Sequence, residues 1–253
     1  MYAEERHQLI VERARLDGRV DVAALAADLD VTSETIRRDL TTLERHGLLR
    51  RVHGGAIPAE RLGFEPGLAV RDAVMQAEKE RIAKAALDEL PDEGAVLLDA
   101  GTTTARLAEI LPNERELTVV TNAVPIAMVL ATRHNITVLM LGGRVRGRTM
   151  AAVDEWAVRA LQDTYVDVAF LGTNGVSAER GLTTPDTAEA AVKRAMLKSA
   201  RRRVVLADHT KVGSDQFARF GGLEDVDVLV TDTGLDEVTA AQLAAHGPRV
   251  VRA

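Results

Sequence analysis

The sequence contains no cysteine among its 253 residues, which excludes disulfides, thiolate metal sites and cysteine nucleophiles. Aromatic residues amount to 3%, too few for a protein that grips single-stranded nucleic acid by stacking bases. No apolar run approaches the ~18–20 residues that a membrane span requires, and the charged N-terminal segment is unlike a signal peptide. These absences predict a cytoplasmic protein with no membrane partner.

An excess of positive charge is also missing. The chain has 32 Lys and Arg against 38 Asp and Glu, a formal net charge of −6, which argues against a histone-like or polybasic nucleic-acid binder. Hydrophobic residues make up 46%, as in ordinary globular proteins, and the length predicts one or two domains. The six histidines show no metal-ligand spacing, and we expect neither a metal nor a cofactor.

The sequence pattern changes near residue 57. Residues 1–57 carry short helical patterns, residues 58–75 include prolines and glycines typical of a linker, and residues 76–253 alternate β-branched runs with Ala-rich segments. The predicted strands are 95–100, 117–121, 136–141, 166–171, 203–207, 227–231 and 249–252. The predicted helices between them are 103–111, 123–133, 153–163, 187–200 and 236–245. This alternation predicts an α/β fold with a mostly parallel, buried sheet.

The N-terminal part has the pattern of a helix-turn-helix at about residues 20–39. Three short helices are predicted, at 3–16, 21–29 and about 32–45. The third has an inward apolar face formed by Ile36, Leu40 and Leu43. Its outward face carries hydroxyl and guanidinium groups at Thr32, Ser33, Thr35, Arg37 and Arg38. Such a face suits a recognition helix in the major groove of double-stranded DNA, and we expect Asp39 and Glu44 to orient the arginines.

A small basic wing is predicted after the third helix. Leu48 to His53 can form one arm of a hairpin that turns at Gly54-Gly55. The stretch from Arg45 to His53 has three arginines and no acid. A solvated helical module is the alternative interpretation of the helices alone, but the tight turn, the hydroxyl–arginine face and the basic wing together favour DNA binding.

Residues 31–56 (VTSETIRRDLTTLERHGLLRRVHGGA) resemble the winged helix-turn-helix of the DeoR family of bacterial regulators. The matching positions are Thr32, Thr35, Ile36, Arg37, Arg38, Asp39, Leu40, Leu43, Gly47 and the wing at 51–56. The resemblance implies that Thr32 to Arg38 contact operator DNA. It also implies that Arg51 and His53 lie at the edge of this contact.

A phosphate-binding turn is indicated by the segment LLDAGTTTARLAEIL at 97–111. A buried strand ends at Asp99, Gly101 permits a tight turn, and three threonines open a helix. Free N–H groups at a helix start favour phosphate, although the pattern also fits a simple capping turn and has neither Walker nor GxGxxG spacing. Polar glycine-rich turns follow three other predicted strands, at 120–123, 141–144 and 171–175. Because the carboxyl ends of parallel strands meet at one edge of a sheet, these turns are expected to converge on one crevice.

Basic side chains could supply the countercharge for a phosphate. Lys211 stands at the end of a predicted strand, and Lys193 lies on a predicted helix. For each lysine alone, a solvated surface position is the simpler interpretation. Arg144, Arg146 and Arg148 could clamp an anion or form a subunit contact.

Residues 76–231 resemble the sensor domain of the same family, through DAGTTT, VTNA, LGG, LGTNG, EAAVKRAM and LADHTKVG. The resemblance implies a phosphorylated-sugar ligand and a C-terminal parallel-sheet domain related to ribose-5-phosphate isomerase. The implied effector-binding residues are Asp99, Gly101, Thr102, Thr103, Thr104, Asn122, Gly142, Gly143, Gly172, Thr173, Asn174, Gly175, Glu189, Lys193 and Lys211. Within the family the chain looks most like regulators of fructose-uptake operons, which implies fructose 1-phosphate as effector.

A sugar-phosphate isomerase is the alternative function, because it would use a similar crevice. Such an enzyme needs a positioned carboxylate as general base, and the related isomerases carry acids in the loop that corresponds to 172–176. Here that loop is Gly-Thr-Asn-Gly-Val, so we expect no catalytic residue and no enzymatic activity. The expected function is a transcriptional regulator, in particular a repressor. Its expected partners are double-stranded operator DNA, a phosphorylated sugar and further copies of itself, as a dimer or tetramer.

Overall fold

The structure is a computed structural model that describes residues 2–58 and 65–253. The chain separates into two compact units, one that ends at Val74 and one that runs from Met75 to Ala253. Residues 59–64 of the predicted linker lie outside the described residues, and the rest of that segment contains a short helix. In the described ranges no helix has the length and apolarity that crossing a bilayer requires.

The first unit combines four helices, the last of them short, with a small antiparallel sheet. Its elements in chain order are α1 (Ala3–Asp17), β1 (Val20–Asp21), α2 (Val22–Asp28), α3 (Ser33–Arg45), β2 (Leu49–Val52), β3 (Gly55–Pro58) and α4 (Leu68–Ala73). The strand order is β1-β3-β2, and both neighbouring pairs are antiparallel. The three predicted helices are therefore present, whereas β1 and α4 are too short for the sequence pattern to indicate them.

Caps and turn residues set the boundaries of these helices. Asp21 accepts hydrogen bonds from two backbone N–H groups of the first turn of α2, and Thr32 accepts one from the N–H of Thr35. Gly18 ends α1 with a φ of 70°, a left-handed conformation that suits glycine. The apolar faces then meet in a core that includes Ile10, Ala14, Leu25, Ile36, Leu40, Leu43 and Leu49.

The wing hairpin turns one residue earlier than its glycine pair indicates. Val52 pairs with Gly55, so His53 and Gly54 form the turn between β2 and β3. Gly55 already belongs to β3, where a Cβ atom would lie 1.9 Å from the carbonyl oxygen of Val20. The predicted turn at Gly54-Gly55 is thus displaced by one residue, because the second glycine serves the close approach of β1.

The second unit is built on a seven-stranded parallel sheet. Its strands are β4 (Gly94–Leu98), β5 (Leu117–Thr121), β6 (Ile136–Met140), β9 (Val166–Gly172), β12 (Ala200–Leu206), β14 (Val228–Thr231) and β15 (Arg249–Arg252). Their spatial order is β15-β14-β12-β9-β4-β5-β6, with parallel pairing throughout. Each of the seven predicted strands is present, and most bounds agree within one or two residues.

Helices cover both faces of this sheet. One face carries α5 (Gln76–Ala86), α6 (Thr102–Glu109) and α7 (Val124–Leu130), and the other carries α8 (Glu155–Gln162), α9 (Thr187–Lys198) and α10 (Glu237–Ala244). Because side chains alternate along a strand, Leu97 belongs to the core under α9 and Leu98 to the core under α6. The predicted fold class, a winged helix-turn-helix followed by a parallel-sheet α/β domain, is confirmed.

The order of the strands creates a topological switch point between β4 and β9. From β4 the chain proceeds outward through β5 to β6, and from β9 it proceeds in the opposite direction through β12 to β15. The helices that follow β4 and β9 therefore lie on opposite faces of the sheet. In sheets of this type ligands bind beyond the carboxyl ends of the strands at such a point.

Two small antiparallel sheets flank the carboxyl edge of the main sheet. One is the hairpin of β7 (Arg144–Arg146) and β8 (Ala151–Val153). The other joins β10 (Gly175–Ser177), β11 (Gly181–Thr184) and β13 (Ala218–Gly221). Strands of three or four residues are too short to show a clear alternation, which explains why the sequence pattern did not predict them.

Candidate functional sites

The outward face of α3 and the wing form a basic groove in the first unit. Arg37 of α3 and Arg51, His53 and Gly54 of the wing are among the residues that line this groove, whose volume is about 240 Å³. Arg37 and Arg38 are exposed, and each guanidinium lies 3.7 Å from the carboxylate of Glu34. Exposed pairs at this distance hold their partners weakly, so both arginines are available to an external anion.

The hydroxyl residues predicted to face DNA lie at the start of α3. Thr32 is exposed, whereas Ser33 and Thr35 are partly buried. The hydroxyl oxygens of Thr32 and Thr35 are 2.9 Å apart, and Thr32 also caps the helix. Three of the predicted DNA-binding residues, Arg37, Arg51 and His53, therefore line the groove, and Thr32 has a structural role as the cap of α3.

Asp39 does not orient the neighbouring arginines, contrary to expectation. Its carboxylate is buried and accepts two hydrogen bonds from Arg6 of α1, at 2.6 and 3.0 Å, and its Oδ1 lies 2.9 Å from Nε2 of His7. Burial alone raises the pKa of Asp39, but the hydrogen bonds from Arg6 and His7 more than offset this and hold the pKa below its usual value. Asp39 therefore fastens α3 to α1.

The Glu44 side chain contacts the backbone of the wing. Its carboxylate accepts a hydrogen bond of 2.9 Å from the backbone N–H of Arg51, while the Arg51 guanidinium donates to the hydroxyl of Thr41. The expectation that Glu44 orients an arginine side chain is therefore wrong, because the main chain of β2 takes its carboxylate. The contact nevertheless fixes β2 against α3.

Asp99 occupies the switch point in the second unit. Its Oδ2 accepts a hydrogen bond from the backbone N–H of Gly172, at 3.1 Å, and forms an ion pair with Lys193 of α9. Asp99 and Lys193 are 1% and 4% exposed, and the Lys193 ammonium also lies 5.4 Å from the ring centroid of Phe220. These contacts tie together the ends of β4 and β9 and one face helix.

The start of α6 leaves donors unused beside Asp99. Gly101 gives no side-chain cap to the helix, so the first-turn N–H groups are open. Thr102 and Thr103 are 5% and 8% exposed, and among the residues that the structure describes neither hydroxyl has a hydrogen-bond partner. The hydroxyl of Thr104, in contrast, donates to the carbonyl oxygens of Asp99 and Gly101. Two of the three threonines can therefore serve a ligand.

The turns after β5 and β6 are held by internal contacts. Asn122 accepts from the N–H of Ala100 at 3.0 Å and donates to the carbonyl oxygen of Ala152 at 3.2 Å, so it links the turn before α6 to β8. A Cβ atom at Gly143 would lie 2.4 Å from the carbonyl oxygen of Val153, whereas one at Gly142 would meet open space. Packing thus accounts for Gly143, and Asn122 shapes the crevice.

Most polar side chains of the loop after β9 are also hydrogen-bonded within the protein. The Thr173 hydroxyl donates to the carbonyl oxygens of Gly175 and Thr183, and the Asn174 side chain accepts from Thr184. At Gly175 a Cβ atom would lie 1.5 Å from the carbonyl oxygen of Ser214. Gly172 is the most open position of this loop, since its Cβ would meet only Asp99, at 3.9 Å.

Glu189 is held by the β7–β8 hairpin, which the sequence pattern did not predict. Arg146 and Thr149 both donate to Oε1 of Glu189, and Arg146 also pairs with Asp186 at 3.1 Å. Arg144 pairs instead with Asp154. Arg146, which the sequence offered as a possible anion clamp, thus pairs with two carboxylates of the protein itself, while Thr149 had no sequence signal.

Lys211 lies in a short helical turn after β12. Its ammonium is 3.3 Å from the hydroxyl of Thr210 and 3.7 Å from the carboxylate of Asp208. Burial raises the pKa of Asp208, but Lys211 and Thr210 more than offset this and keep its pKa below the usual value. Nearby, Asp232 fixes His209 through its backbone N–H and its Nδ1, a pairing that sequence analysis missed.

The unengaged groups at these sites are mainly hydrogen-bond donors and cations, which suit anions. In residues 2–58 and 65–253 no group of three His, Asp or Glu side chains could hold a metal ion. The first unit offers exposed arginines around a groove, and the second offers unused hydroxyl and N–H donors at a switch point. The first arrangement suits a phosphate backbone and base edges, and the second suits a small phosphorylated ligand.

Two family matches span most of the chain. Residues 6–61 match the DeoR-like helix-turn-helix domain, and residues 74–233 match the DeoR C terminal sensor domain. A protein of Bacillus subtilis (strain 168), "Uncharacterized HTH-type transcriptional regulator FruR", is 38% identical over 92% of this chain and 92% of its own length. The "Glycerol-3-phosphate regulon repressor" of Escherichia coli (strain K12) is 30% identical over the same shares of the two chains.

A solved structure is similar to part of the chain. Ribose 5-phosphate isomerase A from Methanocaldococcus jannaschii aligns with 54% of this chain and 54% of its own, with a TM-score of 0.41 and 19% sequence identity.

Proposed function

The chain belongs to the DeoR family of HTH-type transcriptional regulators, and from this premise we propose that it is a repressor that a phosphorylated sugar releases from operator DNA. The proposal is carried by two observations, the arginine-lined groove of the first unit and the unused hydroxyl and N–H donors at the start of α6 in the second. A relative named as a repressor, the glycerol-3-phosphate regulon repressor, supports the direction of regulation.

Operator DNA is proposed to bind the outward face of α3 and the wing. The contacting residues are Thr32, Ser33, Thr35, Arg37, Arg38, Arg51 and His53. Arginine forks can bond base edges or phosphates, and Arg37 and Arg51 line one groove, into which a sugar–phosphate strand would fit under this proposal. Because a single winged helix makes few contacts, two copies are proposed to occupy paired half-sites.

The effector is proposed to bind at the switch point between β4 and β9. Its phosphate would accept hydrogen bonds from the hydroxyls of Thr102 and Thr103 and from the open N–H groups of α6, with Lys211 supplying positive charge. Glu189 and Lys193 would face the sugar hydroxyls from α9. Fructose 1-phosphate is the proposed ligand, and related ketose and aldose phosphates are the candidates against which it is tested.

The acids that the structure describes around this crevice are engaged by other side chains, Asp186 by Arg146 and Asp208 by Lys211 and Thr210 among them. Residues 172–176 contain no acid, Asp99 is engaged by Lys193, and Glu189 is engaged by Arg146 and Thr149. A general base must accept a proton from the substrate, which an ion-paired carboxylate does poorly. We therefore propose that the crevice senses its ligand without converting it.

Binding measurements on the full chain test this function. Duplexes that bind the protein are first selected from a random pool, and their affinity is then measured by fluorescence anisotropy with and without each sugar phosphate. At least one sugar phosphate should lower the affinity for the selected duplex and raise the unfolding temperature. Failure to select any duplex would contradict the operator proposal, and steady conversion of a sugar phosphate would contradict the sensor proposal.

A further inference from the structure

The turn after β12 holds a histidine beside Lys211. This 209–211 turn is a single turn of 3-10 helix that follows β12 at the carboxyl edge of the main sheet. β12 pairs with β9, the strand that borders the switch point. His209 therefore lies at the edge where the effector is proposed to bind, two residues from the lysine that is proposed to face the phosphate.

Asp232 fixes both the backbone and the ring of His209. The Asp232 carboxylate follows β14, is 1% exposed, and accepts a hydrogen bond of 2.8 Å from the backbone N–H of His209. Its other oxygen lies 2.8 Å from Nδ1 of the imidazole. Gly234 leaves room for this pair, because a Cβ atom there would lie 2.4 Å from Nδ1. The ring is thus held in one orientation by a buried carboxylate.

The pairing with Asp232 decides which ring nitrogen carries the proton. A carboxylate only accepts hydrogen bonds, so Nδ1 donates and Nε2 of the neutral ring keeps a lone pair. Within residues 2–58 and 65–253, Nε2 of His209 has no hydrogen-bond partner, and 27% of the side chain is exposed. Nε2 can therefore donate to a phosphate oxygen only after the ring has taken up a second proton.

Four charged groups lie around the 209–211 turn. Asp232 follows β14, Asp208 and Lys211 belong to the turn and its cap, and Lys79 of α5 acts on Asp208. Burial raises the pKa of Asp208, but Lys211, 3.7 Å away, and Lys79 help to lower it below its usual value. Both lysines thus already act on a carboxylate of the protein. A phosphate dianion that enters beside them gains from a further positive charge, which protonation of His209 supplies.

We propose that His209 is a further effector contact, and that its Nε2 takes up a proton from solvent when the effector's phosphate binds beside Lys211. The imidazolium then donates through Nδ1 to Asp232 and through Nε2 to a phosphate oxygen. Asp232 is a positioning residue, because it acts on the ligand only through the ring. The inference rests on the proposed function in one respect, since it takes a phosphorylated sugar to bind at this edge.

Titration calorimetry of the full chain measures this proton. Fructose 1-phosphate, glucose 6-phosphate and inorganic phosphate are the probes, titrated at pH 7.5 in buffers that differ in ionisation enthalpy. At this pH a phosphate monoester is mostly a dianion, so proton uptake reports on the protein. The wild type should take up a proton when it binds a probe, and His209→Gln should bind without uptake. His246→Gln removes an exposed histidine after α10 and should keep the uptake of the wild type.

The pH dependence of affinity is a second test. Because the contact needs the protonated ring, its contribution to affinity is present at low pH and is lost as the pH rises. His209→Gln should therefore weaken binding about tenfold at pH 6 and less than about twofold at pH 8.5. The ratio of the two dissociation constants at each pH cancels the titration of the phosphate itself. Asp232→Asn keeps an oxygen that can accept a hydrogen bond but loses the charge, and it should reduce the proton uptake.

These outcomes separate the inference from the function on which it rests. Wild-type binding without proton uptake overturns the inference alone, because Nε2 would then accept from a sugar hydroxyl or make no contact. Equal affinity ratios at pH 6 and pH 8.5, or loss of the uptake in His246→Gln, also overturn it. The wild-type measurement needs no variant, and circular dichroism establishes that each variant is folded. If no probe binds, the proposed sensor function fails and the inference fails with it.

Discussion

Single residues at the two sites differ in how much hydrogen-bonding capacity the protein itself already uses. Asp99, Asn122 and Thr104 each make two or more internal contacts, so they hold the crevice in shape. Thr102 and Thr103 are 5% and 8% exposed, and within the described residues their hydroxyls make no hydrogen bond. Neither hydroxyl oxygen is fully buried, so each can reach water or a ligand, which makes these two residues the strongest candidates for direct contact with a ligand.

Arg37→Ala should weaken operator binding by at least about fivefold. The Arg37 guanidinium lines the groove between α3 and the wing, and one bidentate base contact contributes about 1–3 kcal/mol. Arg13→Ala is the matched control, because Arg13 is an exposed arginine of α1 that pairs with Asp28 away from this groove. Anisotropy titrations with the selected duplex compare the three proteins. Equal affinity of Arg37→Ala and wild type would contradict the recognition-helix assignment.

Two neighbouring threonines should respond differently to loss of the hydroxyl. Thr103→Val should leave the unfolding temperature unchanged and weaken effector binding about tenfold, because only a ligand uses this hydroxyl. Thr104→Val should instead destabilise the second unit by about 1–2 kcal/mol, because its hydroxyl bonds the carbonyl oxygens of Asp99 and Gly101. Calorimetric titration and thermal unfolding measure the two effects. Unaltered effector affinity in Thr103→Val would place the phosphate elsewhere.

At the scale of elements, the strands of the main sheet could be predicted from the sequence. The long-range side-chain contacts and the β7–β8 hairpin could not. The strands of the sheet are β-branched runs of four to seven residues, and such runs are a local signal. The pairing of Asp39 with Arg6 joins residues 33 positions apart, and that of Glu189 with Arg146 joins residues 43 apart. Contacts between residues so far apart in the sequence leave no trace in its hydrophobic periodicity. The crevice could be located from the turns that end the strands, while the hairpin that closes on Glu189 could not.

The Asp39 anchor should make the first unit sensitive to acid. The pKa of Asp39 is held below its unfolded value, so its contribution to stability is present at neutral pH and is lost as the pH falls below about 4. Asp39→Asn should therefore lower the stability of α3 packing at pH 7 and flatten its pH dependence below that value.

Removal of the whole side chain is more severe. Asp39→Ala leaves Arg6 buried without its carboxylate and should cost about 3–5 kcal/mol. Asp28→Asn breaks an exposed pair with Arg13 and should cost less than about 1 kcal/mol. Thermal unfolding followed by circular dichroism between pH 7 and pH 3 measures these differences. A pH profile of Asp39→Asn identical to that of the wild type would show that the anchor does not contribute.

For the whole molecule, the net charge of −6 conceals an uneven distribution. The stretch from Arg45 to His53 has three arginines and no acid, and the groove of the first unit is lined by arginines. The remaining surface is acidic, and it repels the uniformly charged backbone of DNA that lacks the operator sequence. Specific contacts act over a few ångströms and are little affected by distant charge. An acidic regulator can therefore bind one DNA sequence well and most DNA poorly.

Charge reversal on the second unit should separate these two kinds of binding. Glu93, Asp163 and Glu179 are exposed acids, and changing all three to lysine brings the formal net charge from −6 to zero. At low salt, where screening extends over about 30 Å, the variant should bind random duplex several-fold more tightly than the wild type does. Near 0.15 M salt the screening length is about 8 Å, so operator affinity should be unchanged. Anisotropy titrations at both salt concentrations, with matched random and selected duplexes, measure the ratio. Equal affinity of the two proteins for random duplex at low salt would show that the acidic surface plays no part in discrimination.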